Sequence, residues 1–322
     1  MLPRTDLDPR WRGWHLDGQL LLFDRVTGLN QLIRSERTAH LTQAAPRTLQ
    51  ISMTNDCNRD CPFCYRPRDA RSEWTLDDLL ELARVAADWG ALELAFGGGE
   101  PLVVAGFADF LRAVWRETPL CPHFTTNGTL LTSRLLREIR GCYGQIQLSL
   151  YDDLDWQEMV DLLVRERASF GINYLVTPER VRSLEVDVWA LHRRGVNDIL
   201  FLSYRGCDPA LHLSEVECRQ LDRSLARLHE LLGRRMSLKV DVCWGSRLVR
   251  TPQLLASDDC GAGRVFVSLT SDRRLLPCSF QSHGRGIRFE SVHDLPALYR
   301  EHMRDRDPVE EPGCARVPGF GL

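Results

Sequence analysis

Between residues 48 and 239, short apolar segments alternate with longer amphipathic ones six times, and this alternation limits the folds open to the chain. The segments that predict β-strands are 48–53, 92–97, 121–125, 146–150, 172–176 and 198–203. Those that predict helices are 75–89, 106–116, 132–139, 156–169, 184–194 and 214–233. Strands that alternate with helices form parallel sheets with the helices packed outside. The pattern therefore predicts an α/β fold, for which an open doubly wound sheet is the default.

The residues on either side of this segment have a different composition. Residues 1–46 contain short apolar runs broken by turn dipeptides, which predicts an N-terminal β extension that covers one end of the main domain. Residues 240–322 combine short strands, such as 265–269, with Gly- and Pro-rich turns and four cysteines. A module of about 80 residues carries little core of its own, so we expect metal to stabilise it. The predicted units are 1–46, 47–239 and 240–322.

Charge and composition exclude several classes of protein. The net charge of −3 shows no basic excess of the kind that drives binding to nucleic acid or anionic membranes. No apolar run approaches the ~18 residues of a membrane span, and the N-terminus lacks the pattern of a signal peptide. Eleven cysteines without a secretory signal indicate a reducing, cytoplasmic location and metal or redox duty rather than disulfides.

Three cysteines follow the first predicted strand at close spacing: Cys57, Cys61 and Cys64. Iron–sulfur clusters are normally held by four thiolates, so a cubane on this loop keeps one iron open to a second ligand. A structural zinc loop is the alternative, but zinc sites typically use two pairs of ligands, and no second pair lies nearby. The spacing therefore favours an iron–sulfur cluster with an open iron.

Polar and glycine-rich segments follow the next three predicted strands. The second strand ends in Gly97-Gly-Gly-Glu-Pro101, the third is followed by Asn127-Gly128, and the fourth ends at Ser149. In α/β barrels, binding groups gather at the carboxyl ends of the strands. Glycines let a backbone approach closely, and a carboxylate can accept a hydrogen bond from an ammonium group. These segments are therefore expected beside the cysteine loop.

Together, the Cys-x3-Cys-x2-Cys, Gly-Gly-Glu-Pro, Asn-Gly and Ser149 segments resemble the motifs of the radical S-adenosylmethionine (SAM) enzymes. The resemblance implies a partial (βα)6 barrel in place of the open sheet, with a [4Fe-4S] cluster on the three cysteines and SAM on the open iron. It also implies a set of residues that bind the cofactor: Tyr65, Gly98, Gly99, Glu100, Asn127 and Ser149.

The C-terminal cysteines resemble the auxiliary-cluster modules known as SPASM and Twitch. Cys260-Gly-Ala-Gly, a strand, a turn and Pro-Cys278 carry this resemblance, with Cys243 and Cys314 as further ligands. SPASM needs about seven cysteines for two clusters, so four favour Twitch with one auxiliary cluster, [4Fe-4S] rather than [2Fe-2S]. A zinc ribbon is the alternative, but the long unequal gaps fit it poorly.

The resemblance implies reductive cleavage of SAM, hydrogen abstraction from a substrate and net oxidation, with a flavodoxin- or ferredoxin-type reductant. We expect a ribosomally made precursor peptide as substrate, and a small molecule such as an amino sugar or alcohol is the alternative. A non-catalytic electron carrier is a third hypothesis, disfavoured because a carrier needs no SAM site. Tyr204 and Arg205, after the sixth strand, are candidate substrate contacts, and the neighbouring Cys207 carries a weaker indication.

Overall fold

A ten-stranded sheet runs through the structure, a computed structural model that describes residues 10–67, 69–206, 208–252, 260–281 and 286–304. The strands are β1 (Trp11–Leu16), β2 (Gln19–Asp24), β3 (Asn30–Arg34), β4 (Thr48–Thr54), β5 (Glu93–Gly98), β6 (Cys121–Thr126), β7 (Ile146–Ser149), β8 (Phe170–Val176), β9 (Asp198–Ser203), β10 (Ser237–Val240), β11 (Phe266–Leu269), β12 (Arg274–Leu276) and β13 (Ile287–Arg288). The helices are α1 (Leu76–Trp89), α2 (Phe107–Glu117), α3 (Ser133–Glu138), α4 (Trp156–Arg165), α5 (Pro178–Arg193), α6 (Glu215–Leu232) and α7 (Leu295–His302). No described helix is long and apolar enough to cross a bilayer.

The large sheet has the order β10-β9-β8-β7-β6-β5-β4-β11-β12-β13, and every neighbouring pair from β10 to β11 is parallel. The six predicted strands and six predicted helices are all present, which confirms the α/β prediction. β10 was not among the predicted strands: it is four residues long and only half-buried, so its apolar signal is weak. Cys243, after β10, acts electrostatically on the hydroxyl of Tyr65, after β4, which indicates that the sheet curves toward an open barrel.

Side-chain hydrogen bonds fix most of the helix starts. Thr75 and Ser214 are each followed by an acid three residues later, a pattern that predicts a capped helix start. Both capping boxes are present, at Thr75/Asp78 in α1 and at Ser214/Glu217 in α6. The start of α5 differs from the prediction of residue 184, because Thr177 caps it and Pro178 occupies its first position. Proline is preorganised for the first turn of a helix, so this Thr-Pro pair is a start signal that the apolar periodicity did not reveal.

The two faces of the curved sheet differ sharply in polarity. On β4, Leu49, Ile51 and Met53 are 0–2% exposed and pack against the helices. The residues between them face the inside of the curve, where the side chains are half-buried and mostly polar, as at Gln50 and Gln147. The strands therefore alternate in polarity, whereas strands buried on both faces would be apolar throughout. The inside of the barrel is a polar surface.

An ion-paired cluster lies on this inner face at the amino ends of β5 and β6. Arg47 Nε lies 2.8 Å from Glu93 Oε2, and His123 Nε2 lies 3.2 Å from Glu93 Oε1. Burial acts to raise the pKa of Glu93, but His123 and Arg47 outweigh it and lower that pKa. Burial likewise acts to lower the pKa of His123, but Cys121 and Glu93 outweigh it and raise that pKa. The cluster is therefore an ion pair at neutral pH.

The linkage predicts a pH-dependent stability for this pair. Because the pKa of His123 is raised on folding, its contribution to the free energy of unfolding is complete below the usual histidine pKa. That contribution is lost as the pH rises from the usual pKa through the raised one. We expect His123→Gln to lower the free energy of unfolding by about 2 kcal/mol at pH 6, less than the ~3–5 kcal/mol of a fully broken buried pair because Arg47 still pairs with Glu93. Urea unfolding at pH 6 and pH 10 checks this: the difference between wild type and variant should shrink at pH 10, and a constant difference would contradict it.

The chain after residue 260 joins the same sheet. β11 pairs in parallel with β4, from Phe266 opposite Thr48 to Leu269 opposite Ile51, and β12 and β13 continue the sheet antiparallel. The turn before β12 lacks glycine, and Arg273 there has a φ of 57°. Its guanidinium compensates by hydrogen-bonding Asp78 at 2.6 Å and lying 4.9 Å from the Trp74 ring centre. This tail is thereby fixed to the segment that leads into α1.

The N-terminal sheet, β1-β2-β3, is antiparallel and separate from the large one. Trp14 and Phe23 are 4% and 2% exposed and pack on Leu92 and Cys121, at the amino ends of β5 and β6. Trp14 Nε1 also donates to the Ala45 oxygen at 3.0 Å. β3 is one of the two edge strands of this sheet, and four of its five residues are exposed.

Candidate active site

The cysteine loop, residues 57–64, leaves the carboxyl end of β4. Cys57, Cys61 and Cys64 are all half-buried and outside any disulfide, and the Cys64 amide donates to the Cys61 oxygen at 3.1 Å. As placed, no three His, Cys, Asp or Glu side chains in the described ranges are grouped so that they could hold a metal ion. The chemistry of the donor set fits an iron–sulfur cluster, because one short loop at the binding edge of the sheet supplies three thiols.

An amide network ties this loop to the end of β6. Asn127 Nδ2 donates to Asn58 Oδ1 at 2.9 Å, and Asn58 Nδ2 donates to Thr129 Oγ1 at 2.8 Å. Thr129 in turn donates from its amide and its hydroxyl to Asn127 Oδ1. Asn127 is only 5% exposed, so its amide group is committed to holding the cysteine loop. A direct role in cofactor binding remains a prediction.

A second anchor joins the loop to the end of β7. Arg59 pairs with both carboxylate oxygens of Asp153, at 2.9 and 2.7 Å, and its guanidinium lies 4.8 Å from the Tyr151 ring centre. Phe63 stacks on the same ring with centroids 5.7 Å apart. Tyr151 also interacts with the Cys61 thiol and with Ser149, and burial raises the pKa of its hydroxyl. The role of Asp153 here is to hold the cysteine loop.

The glycines after β5 make room for the backbone of the cysteine loop. The Gly99 amide donates to the Thr54 oxygen at 2.7 Å, and the Glu100 amide donates to the Asp56 oxygen at 2.8 Å. A Cβ atom on Gly99 would overlap the Asp56 carbonyl, and one on Gly98, whose φ is 103°, would overlap the Thr54 oxygen. The sequence analysis expected close approach to a ligand at these glycines, and the structure places a second stretch of the protein's own backbone there.

Glu100 is 1% exposed, and its carboxylate is used within the protein. It accepts hydrogen bonds from Thr126 Oγ1 at 2.8 Å, the Asn127 amide at 2.7 Å and the Leu102 amide at 3.1 Å. Burial raises its pKa, and these bonds only partly offset that effect. A carboxylate offers about four acceptor positions, so one is left over, and the predicted bond to a cofactor stays a prediction.

Replacing Glu100 tests its role at the junction of β5 and β6. Glu100→Gln puts an NH2 group opposite groups that also donate, so at least one buried donor loses its acceptor. We expect the free energy of unfolding to fall by about 1–3 kcal/mol, the cost of an unsatisfied buried polar group. Urea unfolding of the wild type, the variant and the surface control Glu215→Gln checks this, since Glu215 is 92% exposed. A loss as small as that of the control would contradict the assigned bonds.

Tyr65 spans the cysteine loop and the C-terminal cysteines. Its ring lies 4.5 Å from that of Phe280, and its hydroxyl lies 3.5 Å from Ser279 Oγ. Cys278, Cys64 and Cys243 all act electrostatically on this hydroxyl. The structure therefore brings two of the predicted auxiliary ligands close to the first cluster loop through Tyr65. Its role in cofactor binding stays a prediction.

The remaining predicted residues divide into three groups. Cys243, Cys260 and Cys278 are half-buried and outside any disulfide, whereas Cys314 and Cys207 lie outside the described residues.

Tyr204 is 8% exposed, and its hydroxyl accepts from the Asp208 amide at 3.2 Å. Arg205 donates to Ser203 Oγ at 3.1 Å and to the Cys243 oxygen. Tyr204 is therefore a packing residue here, and Arg205 lies at the mouth of the barrel.

The sequence analysis missed several residues that shape this site, among them Asn58, Ser279 and Arg247. Asn58 and Ser279 are each adjacent to a predicted cysteine ligand, and this adjacency was the available signal. Arg247 had no signal, because it meets Arg205 only through the pairing of β9 and β10.

The sequence of residues 51–153 matches the Radical SAM superfamily. The chain therefore contains a radical SAM domain, and the resemblance drawn from the cysteine loop and the segments after β5, β6 and β7 is confirmed for this part of the chain.

Two curated relatives match different lengths of the chain. A probable GTP 3',8-cyclase of Methanocella arvoryzae is 40% identical over 91 residues, which cover 27% of this chain and only 28% of that protein. The PqqA peptide cyclase of Granulibacter bethesdensis is 24% identical over 273 residues, which cover 77% of this chain and 72% of that protein. Of these two matches the shorter has the higher identity, but a GTP 3',8-cyclase of Parasynechococcus marenigrum is 29% identical over 81% of this chain and 89% of that protein.

Among solved structures, Streptococcus suis SuiB bound to S-adenosylmethionine has a TM-score of 0.72 at 14% identity, covering 92% of this chain and 88% of that one. SuiB bound to the precursor peptide SuiA has a TM-score of 0.73 at 13% identity, covering 96% and 93%. At such low identity these TM-scores show a common fold and nothing beyond it, and they confirm the predicted α/β partial barrel.

Proposed function

We propose that this chain is a radical SAM enzyme that abstracts a hydrogen atom from a ribosomally made peptide and brings about its net oxidation, as a crosslink or a dehydrogenation. One observation carries the proposal: the loop with Cys57, Cys61 and Cys64 is fastened to the carboxyl ends of β5, β6 and β7. An electron carrier has no need of this construction, because it requires no second ligand beside its cluster.

Cys57, Cys61 and Cys64 would hold a [4Fe-4S] cluster, and SAM would bind beside the segments after β5, β6 and β7. When bound and reduced, this pair supplies a 5′-deoxyadenosyl radical, the species that abstracts hydrogen. The reductant that we propose is a flavodoxin or ferredoxin.

The chain's own residues position and shield this chemistry. The Asn58–Asn127 and Arg59–Asp153 anchors fix the cysteine loop at two points, and Phe63 and Tyr151 cover one side of it. Fixed geometry lowers the entropic cost of bringing the reacting atoms together. Net oxidation requires that the substrate radical lose one electron and one proton after hydrogen abstraction. Cys243, Cys260, Cys278 and Cys314 would hold the auxiliary cluster proposed as the electron acceptor, and no proton acceptor is assigned.

Two comparisons support a peptide substrate. One relative that matches 77% of the chain is a PqqA peptide cyclase, and SuiB is described with a bound precursor peptide. The exposed outer strand β3 offers an edge to which an extended leader segment could add as a further strand. Main-chain hydrogen bonds would then supply affinity.

A small-molecule dehydrogenation is the second candidate. The probable GTP 3',8-cyclase favours it, because that relative has the higher identity and acts on a nucleotide. That match is limited to 28% of the Methanocella protein, but a second GTP 3',8-cyclase matches 81% of this chain, so the curated relatives support both candidates. We favour the peptide because SuiB, which is described with a bound precursor peptide, shares the fold over 96% of this chain.

The test compares bacteria that express the wild-type chain with bacteria that express the Cys57→Ala/Cys61→Ala/Cys64→Ala variant. Mass spectrometry of peptides and metabolites should find a peptide that lacks two hydrogen atoms only with the wild type. If a small metabolite lacks two hydrogen atoms and no peptide does, the second candidate replaces our proposal. Purified, dithionite-reduced protein that forms no 5′-deoxyadenosine from SAM would overturn both and favour the electron carrier.

A further inference from the structure

Two arginines lie side by side at the carboxyl edge of the sheet. Arg205 follows β9, and Arg247 ends the short 3-10 segment Val242–Arg247 that follows β10. A terminal guanidinium nitrogen of each donates to the same acceptor, the main-chain oxygen of Cys243. Because both nitrogens are within hydrogen-bond reach of one oxygen, they lie within about 6 Å of each other.

Each guanidinium is held by a second contact that fixes its direction. Arg205 Nε donates to Ser203 Oγ at 3.1 Å, and Arg247 Nε donates to the Trp244 oxygen at 3.2 Å. The Arg247 guanidinium also lies 5.0 Å from the ring centre of Trp244, which is 2% exposed and donates to the Phe201 oxygen. Arg247 is therefore held against a buried aromatic ring, and Arg205 is held by Ser203.

Within the part of the chain that the structure describes, no carboxylate pairs directly with either arginine. Asp241 acts electrostatically on both arginines, but its oxygens accept from Ser203 and from the Cys243 amide. Counting only the two arginines and Asp241, and leaving out the cluster proposed on Cys243, the net charge is +1. A guanidinium has five N–H donors, and the bonds given above use two on each arginine.

We propose that Arg205 and Arg247 form a subsite that binds a carboxylate group of the substrate. This deepens the proposed function, since it gives the peptide an acidic side chain or a free C-terminus near the barrel mouth. Guanidinium forks match carboxylates and phosphates alike. The net charge of +1 favours the singly charged carboxylate over a doubly charged phosphate.

Fluorescence anisotropy with the anaerobically reconstituted full chain tests the subsite. The probes are labelled peptides of alternating glycine and glutamate with an amidated C-terminus, of glycine and glutamine with a free C-terminus, and of glycine and glutamine with an amidated one. We expect the fully neutral peptide to bind weakest, and the stronger of the other two identifies the source of the carboxylate. Arg205→Gln and Arg247→Gln should each weaken that binding about tenfold, as for a lost charge-assisted hydrogen bond. Arg134→Gln is the control, because that side chain is 87% exposed on α3.

Several results would overturn the subsite. Equal binding of all three peptides would do so, as would variants that bind like the control. Inorganic phosphate that competes far better than acetate at equal ionic strength would overturn the carboxylate assignment. If the charge of a cluster on Cys243 already satisfies the arginines, no acidic peptide binds, and the proposal is wrong.

Footprinting of the wild type with phenylglyoxal avoids variants that fold poorly. The acidic peptide should slow modification of Arg205 and Arg247 several-fold and leave Arg134 unchanged, and no protection would contradict the subsite. Both measurements are independent of turnover. Loss of 5′-deoxyadenosine formation therefore reports on the proposed function, and loss of peptide binding reports on the subsite alone.

Discussion

Replacing Cys57, Cys61 and Cys64 together by alanine is expected to remove about four irons per chain, the content of one cubane, and to reduce 5′-deoxyadenosine formation to background. The three thiols come from one loop that is fixed by Asn127 and Asp153, and the structure offers no substitute thiol on that loop among the described residues. Iron and sulfide analysis with Mössbauer spectra of anaerobic protein measures the loss. The same samples, reduced with dithionite and supplied with SAM, give the activity.

Cys142→Ala is the matched control for this experiment. Cys142 is also half-buried, but it lies before β7, at the opposite end of the parallel strands from the cysteine loop. It should keep the iron content and activity of the wild type. About four irons left in the triple variant would support an auxiliary cubane, and about two a smaller cluster. No iron left in the triple variant would contradict an auxiliary cluster, and unchanged iron would contradict the cysteine-loop site.

Gly99→Ala is expected to lower the free energy of unfolding by about 3 kcal/mol or more, at the upper end of the cost of overpacking. The added methyl group would overlap the carbonyl group of Asp56, a backbone group that cannot rotate away as a side chain can. The Glu100 amide donates to that same carbonyl, so relief of the overlap also breaks a hydrogen bond. The displaced Asp56 immediately precedes Cys57. We therefore expect the variant to bind less iron as well as to unfold at lower urea.

Gly97→Ala is the control two residues earlier in the same glycine run. A Cβ atom on Gly97 meets nothing within 4 Å, and its φ is not positive. This substitution should change the free energy of unfolding by no more than about 0.5–1 kcal/mol, in the direction of greater stability. Equal losses in the two variants would show that glycine is needed along the whole run for another reason. Urea unfolding and iron analysis on both variants distinguish these outcomes.

Local patterns in the sequence were sufficient for the secondary structure and for the edge of the sheet where the site lies. Short apolar runs and capping residues such as Thr75 and Ser214 predicted six strands and six helices in the right order. Parallel strands direct their carboxyl ends to one edge, so the cysteine loop and the segments at Gly99, Asn127 and Ser149 had to meet there.

What each of these residues contacts was decided by the tertiary structure. Gly99 and Glu100 lie against the protein's own backbone and amides, although their motif suggested a ligand. The sequence analysis did not predict the polar inner face that contains Glu93 and His123. A strand whose outer face is rich in leucine and isoleucine has an apolar average composition even when its inner face is polar.

The sequence by itself determined the order of strands and helices, the cysteine loop and the edge of the sheet at which binding groups gather, because these depend on neighbours along the chain. The tertiary structure alone decided that Arg247 meets Arg205 and that Tyr65 meets Ser279, residues 214 positions away. Such contacts arise from sheet curvature and strand pairing, which depend on the packing of the whole chain and leave no mark on the residues nearby.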